Sequence, residues 1–582
     1  MKNGIKGKRS TTVVILGLLT CAIAGAEAPD SAESFAVHPG PPVEEASTSA
    51  KAWAPEITEP PAALKANFDG NGYADLAIGA PREDVDGALY AGAVSAFYWN
   101  TSSMSPASGV YWEQDDLEGS DSEGGDLLGE ALAVGDFNGD GVYDLAVGVP
   151  FEDWSYTGGL YEDAGIVHVI YGASGTGLTL SGDQFWHQDS VDVNGTMESF
   201  DNFGHSLATG DFNGDGYDDL AIGVPAEDSG VVIDSGAVNV LYGSASGIQA
   251  SDDQMFTQTT FGLEDGEDEN FGSSLASGDF NGDGYDDLAI GTPGESVLFE
   301  PGAGAVFVAL GSASRLTVPA SGFWWHQNIS GVHGVAEVDD RFGYALAAGD
   351  FDDDGYDDLA ISVPMEDLGN PVVDHAGAVH VLYGSSSGPT SAGADFFYQG
   401  YGATSNDIEP GDQFGRSLTV GDFDGDGYDD LVISAPWENW SVIVDTGMIH
   451  VFSGSSAGLE DDDQFIHQDL LSSNGNNEED DHFGFALAAA DFNGDGYDDI
   501  VVGSPFEDID NLTDAGWVTM LYGTPGGISL DNSTITQESA STGGTSEIND
   551  NFGWAVAAAP FQSGDTGLIF ADGFESGDIG AW

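Results

Sequence analysis

The chain has 582 residues, with 100 Asp and Glu against 10 Lys and Arg, a formal net charge of −90 and one cysteine. Such a surface repels nucleic-acid phosphates and anionic membranes, so nucleic acid is excluded as a partner, and a single cysteine cannot staple a fold. Fewer than a third of the acids fall in the acidic loops described below; the rest read as solvated carboxylates that keep a protein soluble in a saline or calcium-rich exterior.

A basic stretch ending at Arg9 precedes an apolar run from Val13 to Leu19 that continues loosely to Ala24. With the small residues Ala24-Gly25-Ala26 this reads as a signal peptide over residues 1–26, so the protein is expected to be secreted or on the cell surface. The run is too short for a membrane span, and no transmembrane segment is expected. Cys21 lies inside the leader, where Leu18-Leu19-Thr20-Cys21 matches a lipoprotein box poorly, which makes lipid anchoring the disfavoured alternative. Residues 27–60, rich in Ala, Glu, Ser and Pro without periodicity, read as a disordered linker.

Seven acidic nine-residue loops follow, starting at Asn67, Asp136, Asp211, Asp279, Asp350, Asp422 and Asp491, 68 to 75 residues apart. In the unit from Asp201 to Gln258 a small-residue strand leads into the loop. Behind it come an apolar strand with Leu220 and Ile222 on one face, a third strand at 236–244 and a fourth at Gln254–Gln258. Four short strands separated by Gly, Asp and Ser turns make an antiparallel meander with no helix-period segment. Repeated radially, they predict an all-β, seven-bladed β-propeller of four-stranded antiparallel blades over residues 61–558. The first unit lacks its opening strand, and Asp550 to Val556 supplies one after the last loop. The ring is therefore expected to close with N- and C-terminal strands in one blade. Residues 559–582 form a C-terminal tail that resembles the short acidic-aromatic tails of bacterial exported repeat proteins.

Within the loops, Asp211, Asn213, Asp215, the Tyr217 carbonyl and Asp219 place oxygens at alternate positions of a tight turn. That suits a hard cation, which takes about six to eight oxygen ligands, and Gly214 and Gly216 let the backbone bend. The equivalent sets are Asp136, Asn138, Asp140, Val142 and Asp144; Asp279, Asn281, Asp283, Tyr285 and Asp287; and Asp350, Asp352, Asp354, Tyr356 and Asp358. Two more are Asp422, Asp424, Asp426, Tyr428 and Asp430, and Asp491, Asn493, Asp495, Tyr497 and Asp499. The first loop, Asn67, Asp69, Asn71 and Asp75, has only two carboxylates, and in the fifth Asp353 stands where the others have glycine. Up to seven structural Ca2+ sites are expected, five of them complete by sequence, with dissociation constants of roughly 0.1–1 mM. An EF-hand is excluded, because position twelve is Ile222 and a strand follows instead of a helix.

Phe-Gly precedes the loops at Phe203, Phe271, Phe342, Phe414, Phe483 and Phe552, with Leu128-Gly129 as a variant. Gly-x-Pro follows them at Gly79, Gly148, Gly223, Gly291 and Gly503, with Ser362 and Ser434 in the other two. This coupled pattern resembles the FG-GAP repeats of the integrin alpha-chain propeller and its bacterial relatives. The resemblance implies loops that bind calcium structurally on one face and a ligand, protein or glycan, engaged on the other.

Glu recurs two residues after each proline, at Glu83, Glu152, Glu227, Glu295, Glu366, Glu438 and Glu507, and such strict recurrence suits architecture. The aromatics Trp154, Tyr156, Trp437 and Trp440 do not recur and are the better ligand candidates. His187, His326 and His467, each just before a glutamine that ends the fourth strand, read as packing positions. Two GxSxG matches, at Gly384 and Gly454, fall in turns that other copies fill with GSASG and are accidental. No catalytic residue emerges, so the chain is expected not to be an enzyme. The expected function is an exported calcium-binding adhesion or interaction module. A glycan-binding lectin or sugar hydrolase on the same scaffold, and a purely structural surface component, are the alternatives.

Overall fold

The computed structural model describes residues 67–558 other than 86, 101–104, 118, 120–121, 157–158, 320–323, 370, 401–407, 461–462, 473–476, 510, 540–541 and 543. The expected signal peptide, linker and C-terminal tail lie outside these residues. Seven four-stranded antiparallel sheets form the blades of a β-propeller. Six blades are consecutive meanders, such as Ser206–Gly210, Asp219–Val224, Ala237–Tyr242 and Gln249–Phe256. The fourth strand of this blade starts earlier than its hydrophobic residues indicate. Its first half, Gln249 to Asp253, is mostly polar and hides the strand from a hydropathy reading, while Gln258 already lies in a 3-10 turn.

The ring closes as expected. Ala555–Ala557 is the innermost strand of the blade built from Leu76–Ala80, Ala93–Tyr98 and Ser108–Glu113. Ile78 stands opposite Val556, and Ala77 opposite Ala557. The structure adds one element, a two-stranded ribbon of Trp154–Tyr156 and Gly159–Tyr161 in the loop after Pro150.

Every second strand is buried along its whole length, because each blade is covered on both faces by its neighbours. The apolar core is therefore divided among the blade junctions. One cluster joins Phe212, Val238 and Val240 to Leu288, Ile290 and Phe307 of the next blade. The Phe-Gly and Gly-x-Pro motifs meet across the same junctions. A Cβ on Gly148 would lie 2.1 Å from the Gly204 carbonyl oxygen, so backbone approaches backbone where neither can carry a side chain. Where serine replaces the first glycine, Ser362 and Ser434 turn their hydroxyls back to accept the N–H of Ala345 and Ser417 at 2.7 and 2.9 Å.

Candidate metal centres

Six acidic loops join the first and second strands of their blades, and the first loop leads into the second strand of the closing blade, whose first strand comes from Ala555–Ala557, so all seven lie on one face. In the third, Asp211 accepts the N–H groups of Asp215 and Gly216 at 3.0 and 2.8 Å, and Asp215 accepts that of Tyr217 at 3.2 Å. The first-position carboxylates Asp136, Asp350, Asp422 and Asp491 accept the same two backbone donors, which aims the following side chains into one turn. The seventh-position residues Val142, Tyr285, Tyr356, Tyr428 and Tyr497 likewise donate their N–H to Asp140, Asp283, Asp354, Asp426 and Asp495.

The ninth-position Asp is a buried strut. Asp219 accepts the Phe212 N–H at 3.1 Å and the Gly243 N–H at 2.8 Å, tying the loop to the end of the third strand. Asp75, Asp144, Asp358, Asp430 and Asp499 do the same, and Asp287 accepts the Gly311 N–H. Burial first, then neighbouring carboxylates, push Asp144, Asp287 and Asp499 up to about 8 and Asp219 and Asp358 up to about 9. Asn138, Asn213, Asn281 and Asn493 turn their amides toward these carboxylates.

Two loops bring three carboxylates together outright. Oxygens of Asp350, Asp352 and Asp358, and of Asp422, Asp424 and Asp426, lie within 4.8 Å of one another. Converging carboxylates repel one another and present a donor set that fits a hard divalent cation, which would neutralise them. The first loop fits least. The Asn71 amide donates to Asp69 at 2.8 Å and to the Trp99 carbonyl at 2.6 Å, closing the turn without a cation. In the fifth, Asp353 adopts the glycine conformation at φ 53°, which Asp tolerates better than most residues, and adds a charge beside Asp350 and Asp352.

One role escapes a reading of the loop as a ligand set. The eighth-position Asp is an inter-blade staple: Asp286 accepts the Asp211 N–H of the preceding blade at 2.8 Å. Asp218, Asp357, Asp429 and Asp498 bind Asp136, Asp279, Asp350 and Asp422 in the same way. Doubled Asp at the loop's end is the sequence signal. Ala74 and Tyr143 break it in the first two loops.

On the opposite face the recurrent Glu residues answer the recurrent Gln residues. Gln188, Gln258, Gln399 and Gln468 donate to Glu227, Glu295, Glu438 and Glu507 of the next blade at 2.6 to 2.8 Å, and Gln114 and Gln327 to Glu152 and Glu366. The Glu residues are therefore architectural. The aromatic candidates are largely engaged as well. Trp154 packs on His187 at 4.6 Å and Trp440 on His467 at 3.9 Å, which also gives those histidines their packing role.

A seven-bladed propeller carrying an acidic loop in every blade defines the class of protein. The FG-GAP repeat model matches residues 61–97, 128–170, 203–241, 271–308, 342–382, 414–452 and 483–519, one match per blade. The chain is an FG-GAP repeat protein with an integrin-alpha-like propeller. It is 30% identical over 269 residues to integrin alpha-PS2 of Drosophila melanogaster, covering 45% of this chain and 17% of that one. It is 30% identical over 255 residues to integrin alpha-V of Gallus gallus, covering 43% and 22%. With phosphatidylinositol-glycan-specific phospholipase D of Bos taurus it shares 28% over 407 residues, covering 67% and 44%. The matches thus span less than half the length of these relatives. Among solved structures, an exotype rhamnogalacturonan lyase, YesX, aligns over 76% of this chain and 72% of its own at 13% identity and a TM-score of 0.33, too distant to bear on function.

Proposed function

We propose that this chain is an exported, calcium-stabilised interaction module of the cell surface or extracellular space, not itself an enzyme, whose ligand face lies opposite the calcium loops. One observation carries the reading. Of the 17 exposed large hydrophobic side chains among the described residues, all but Leu530 lie in the loops of that opposite face. Val231, Leu298, Phe299 and Val442 at the hairpin tips are 71 to 96% exposed. Exposed apolar side chains gathered on one face mark an interaction surface. Leu298 and Phe299 both hold positive φ, 52° and 82°, in a two-residue hairpin turn that Asn-Gly would fill without strain. Against enzyme chemistry, the carboxyls of this face that recur in every blade are buried and bound to glutamines, closed to a substrate.

The test is binding of the fluorescently labelled protein to cells of its source. Saturable binding that chelator abolishes, and that Val231→Ser/Phe299→Ser/Val442→Ser removes without lowering Tm, is expected. Binding indifferent to both would overturn the reading.

A further inference from the structure

The residue after each Phe-Gly, just ahead of each inner strand, changes character from blade to blade. It reads Glu130, His205, Ser273, Tyr344, Arg416, Phe485 and Trp554 in turn, while the next residue is always Ala or Ser. Six of the seven line a cavity of about 360 Å³ at the mouth of the axial channel, on the face opposite the calcium loops. A collar of leucines, completed by Val556, separates it from a second cavity of about 350 Å³ deeper in the channel. In a repeat fold, what recurs serves architecture, so a varied ring on the axis is where specificity can be written.

The cations are distributed in the same sense. Four of the chain's 10 basic residues lie among the described residues: Arg82, Arg315, Arg341 and Arg416. Arg315 and Arg341 pair with Asp252 and Asp339 at 2.7 and 3.8 Å. The other two sit by the axial mouth and, among the described residues, make no ion pair within 4 Å, although the Glu130 charge acts on both. Arg416 lies over Tyr344 at 4.5 Å and over Trp437 and Phe485 at 5.4 Å, its Nε buried without an acceptor. Arg82 lies over Trp554 at 4.6 Å and donates to Asn551 at 3.2 Å. Glu130 lines the same cavity; burial pushes its carboxyl up to about 6 against a hydrogen bond from Trp554 and the charges of Arg82 and Arg416, and its Oε2 is buried without a donor. Burial lowers Arg416 to about 10, which leaves it charged at neutral pH.

We propose that this mouth binds a small hydroxylated carboxylate, the chemistry of a sugar acid. The Arg416 guanidinium, its plane fixed by aromatic rings, donates to the ligand carboxylate through its planar fork. Glu130 accepts from ligand hydroxyls. Phe485 and Trp554 wall the site with apolar surface that suits the C–H face of a pyranose ring. Arg416 is the one cation among the residues lining the cavity, and with an acidic surround this favours a monoanion over a phosphate ester. The site stands on observations separate from the apolar hairpin tips, so its failure would leave the module reading intact.

The experiment is a tryptophan-fluorescence titration of the full chain at fixed calcium with sodium glucuronate, glucose and sodium acetate. Trp554 lines the cavity and Trp437 lies beneath Arg416, so both report occupancy. Glucuronate is expected to bind more tightly than either glucose or acetate. Arg416→Met is expected to weaken glucuronate about 10- to 100-fold, the worth of a charge-assisted hydrogen bond. Arg416→Lys, which keeps the charge without the fork, falls between. Equal responses to glucuronate and glucose, no response to either, or undiminished affinity in a folded Arg416→Met protein would overturn the proposal. Should Arg416→Met not fold, the comparison of the three ligands on the unmodified chain decides.

Discussion

Gln537 donates from Nε2 to Oε2 of Glu83 at 2.8 Å, although the two residues stand 454 positions apart. The same bond joins other neighbouring blades over 37 to 39 residues. At the closing junction it therefore secures the ring between the ends of the propeller, beside the strand pairing of Ala555–Ala557. Gln537→Leu leaves the buried Glu83 carboxyl one donor short and is expected to cost about 1–3 kcal/mol. Urea unfolding measures it. An unchanged midpoint would show that backbone pairing alone holds the ring shut.

Beside each of these Glu residues lies the acid that precedes Phe-Gly or its variant by two positions. Asp126 faces Glu152, Asp340 faces Glu366 and Asp481 faces Glu507. Burial first, then the facing acid, push Glu152 and Glu366 up to about 8 and Glu507 up to about 9. A carboxyl whose folded pKa exceeds its ordinary value of about 4.5 binds a proton more tightly when folded. Its contribution is full below that ordinary value and is lost as pH rises through the folded one. At saturating calcium, Tm is expected to fall as pH rises from about 5 to about 9. Glu507→Gln, a fixed mimic of the protonated acid, flattens that fall; a Tm that rises over the same range would refute the raised affinity of these carboxyls for protons.

The proposed calcium sites lie on the other face. Ten millimolar calcium acting on a site of roughly 0.1–1 mM stabilises by about 1.4–2.7 kcal/mol. Asp426→Ala removes a carboxylate from a three-carboxylate cluster and is expected to subtract about one such increment from the calcium-induced stabilisation. Asp69→Ala, in the loop that the Asn71 amide already closes, is expected to subtract little. Thermal unfolding in calcium, magnesium and chelator tests both. Equal losses at the two loops would contradict the ranking.

The fold was open to reading because each blade is specified by contiguous motifs. Loop, Gly-x-Pro and Phe-Gly recur in order, and the missing first strand announces the closure by 555–557. The loops were legible as donor sets for the same reason. Pairings between blades were not. The recurrence of Gln and of Glu is visible in the chain, but nothing local says that Gln188 reaches Glu227 across a junction. Asp286 reads as one more loop acid until the structure shows it accepting the Asp211 N–H of the preceding blade. The axial ring is hidden for the opposite reason. Arg416 and Trp554 repeat nothing, and only the curvature of the ring brings seven such positions toward one axis.

Leu298 and Phe299 set stability against the proposed binding. Positive φ at both positions, with 71 and 96% exposure, costs backbone strain and leaves apolar surface in water. Val297 and Glu300 exchange their backbone hydrogen bonds at 3.1 and 3.0 Å, so the turn between them is a closed two-residue hairpin of the kind that favours Asn-Gly. Leu298→Asn/Phe299→Gly is therefore expected to raise stability by about 1 kcal/mol or more, because each residue then sits in a conformation it favours. If the opposite face is the ligand face, the same variant should bind cells more weakly than the unmodified chain while melting at a higher temperature. A variant that melts higher and binds as well would show that this tip is not a contact, and the face would then have to work through its other hairpins.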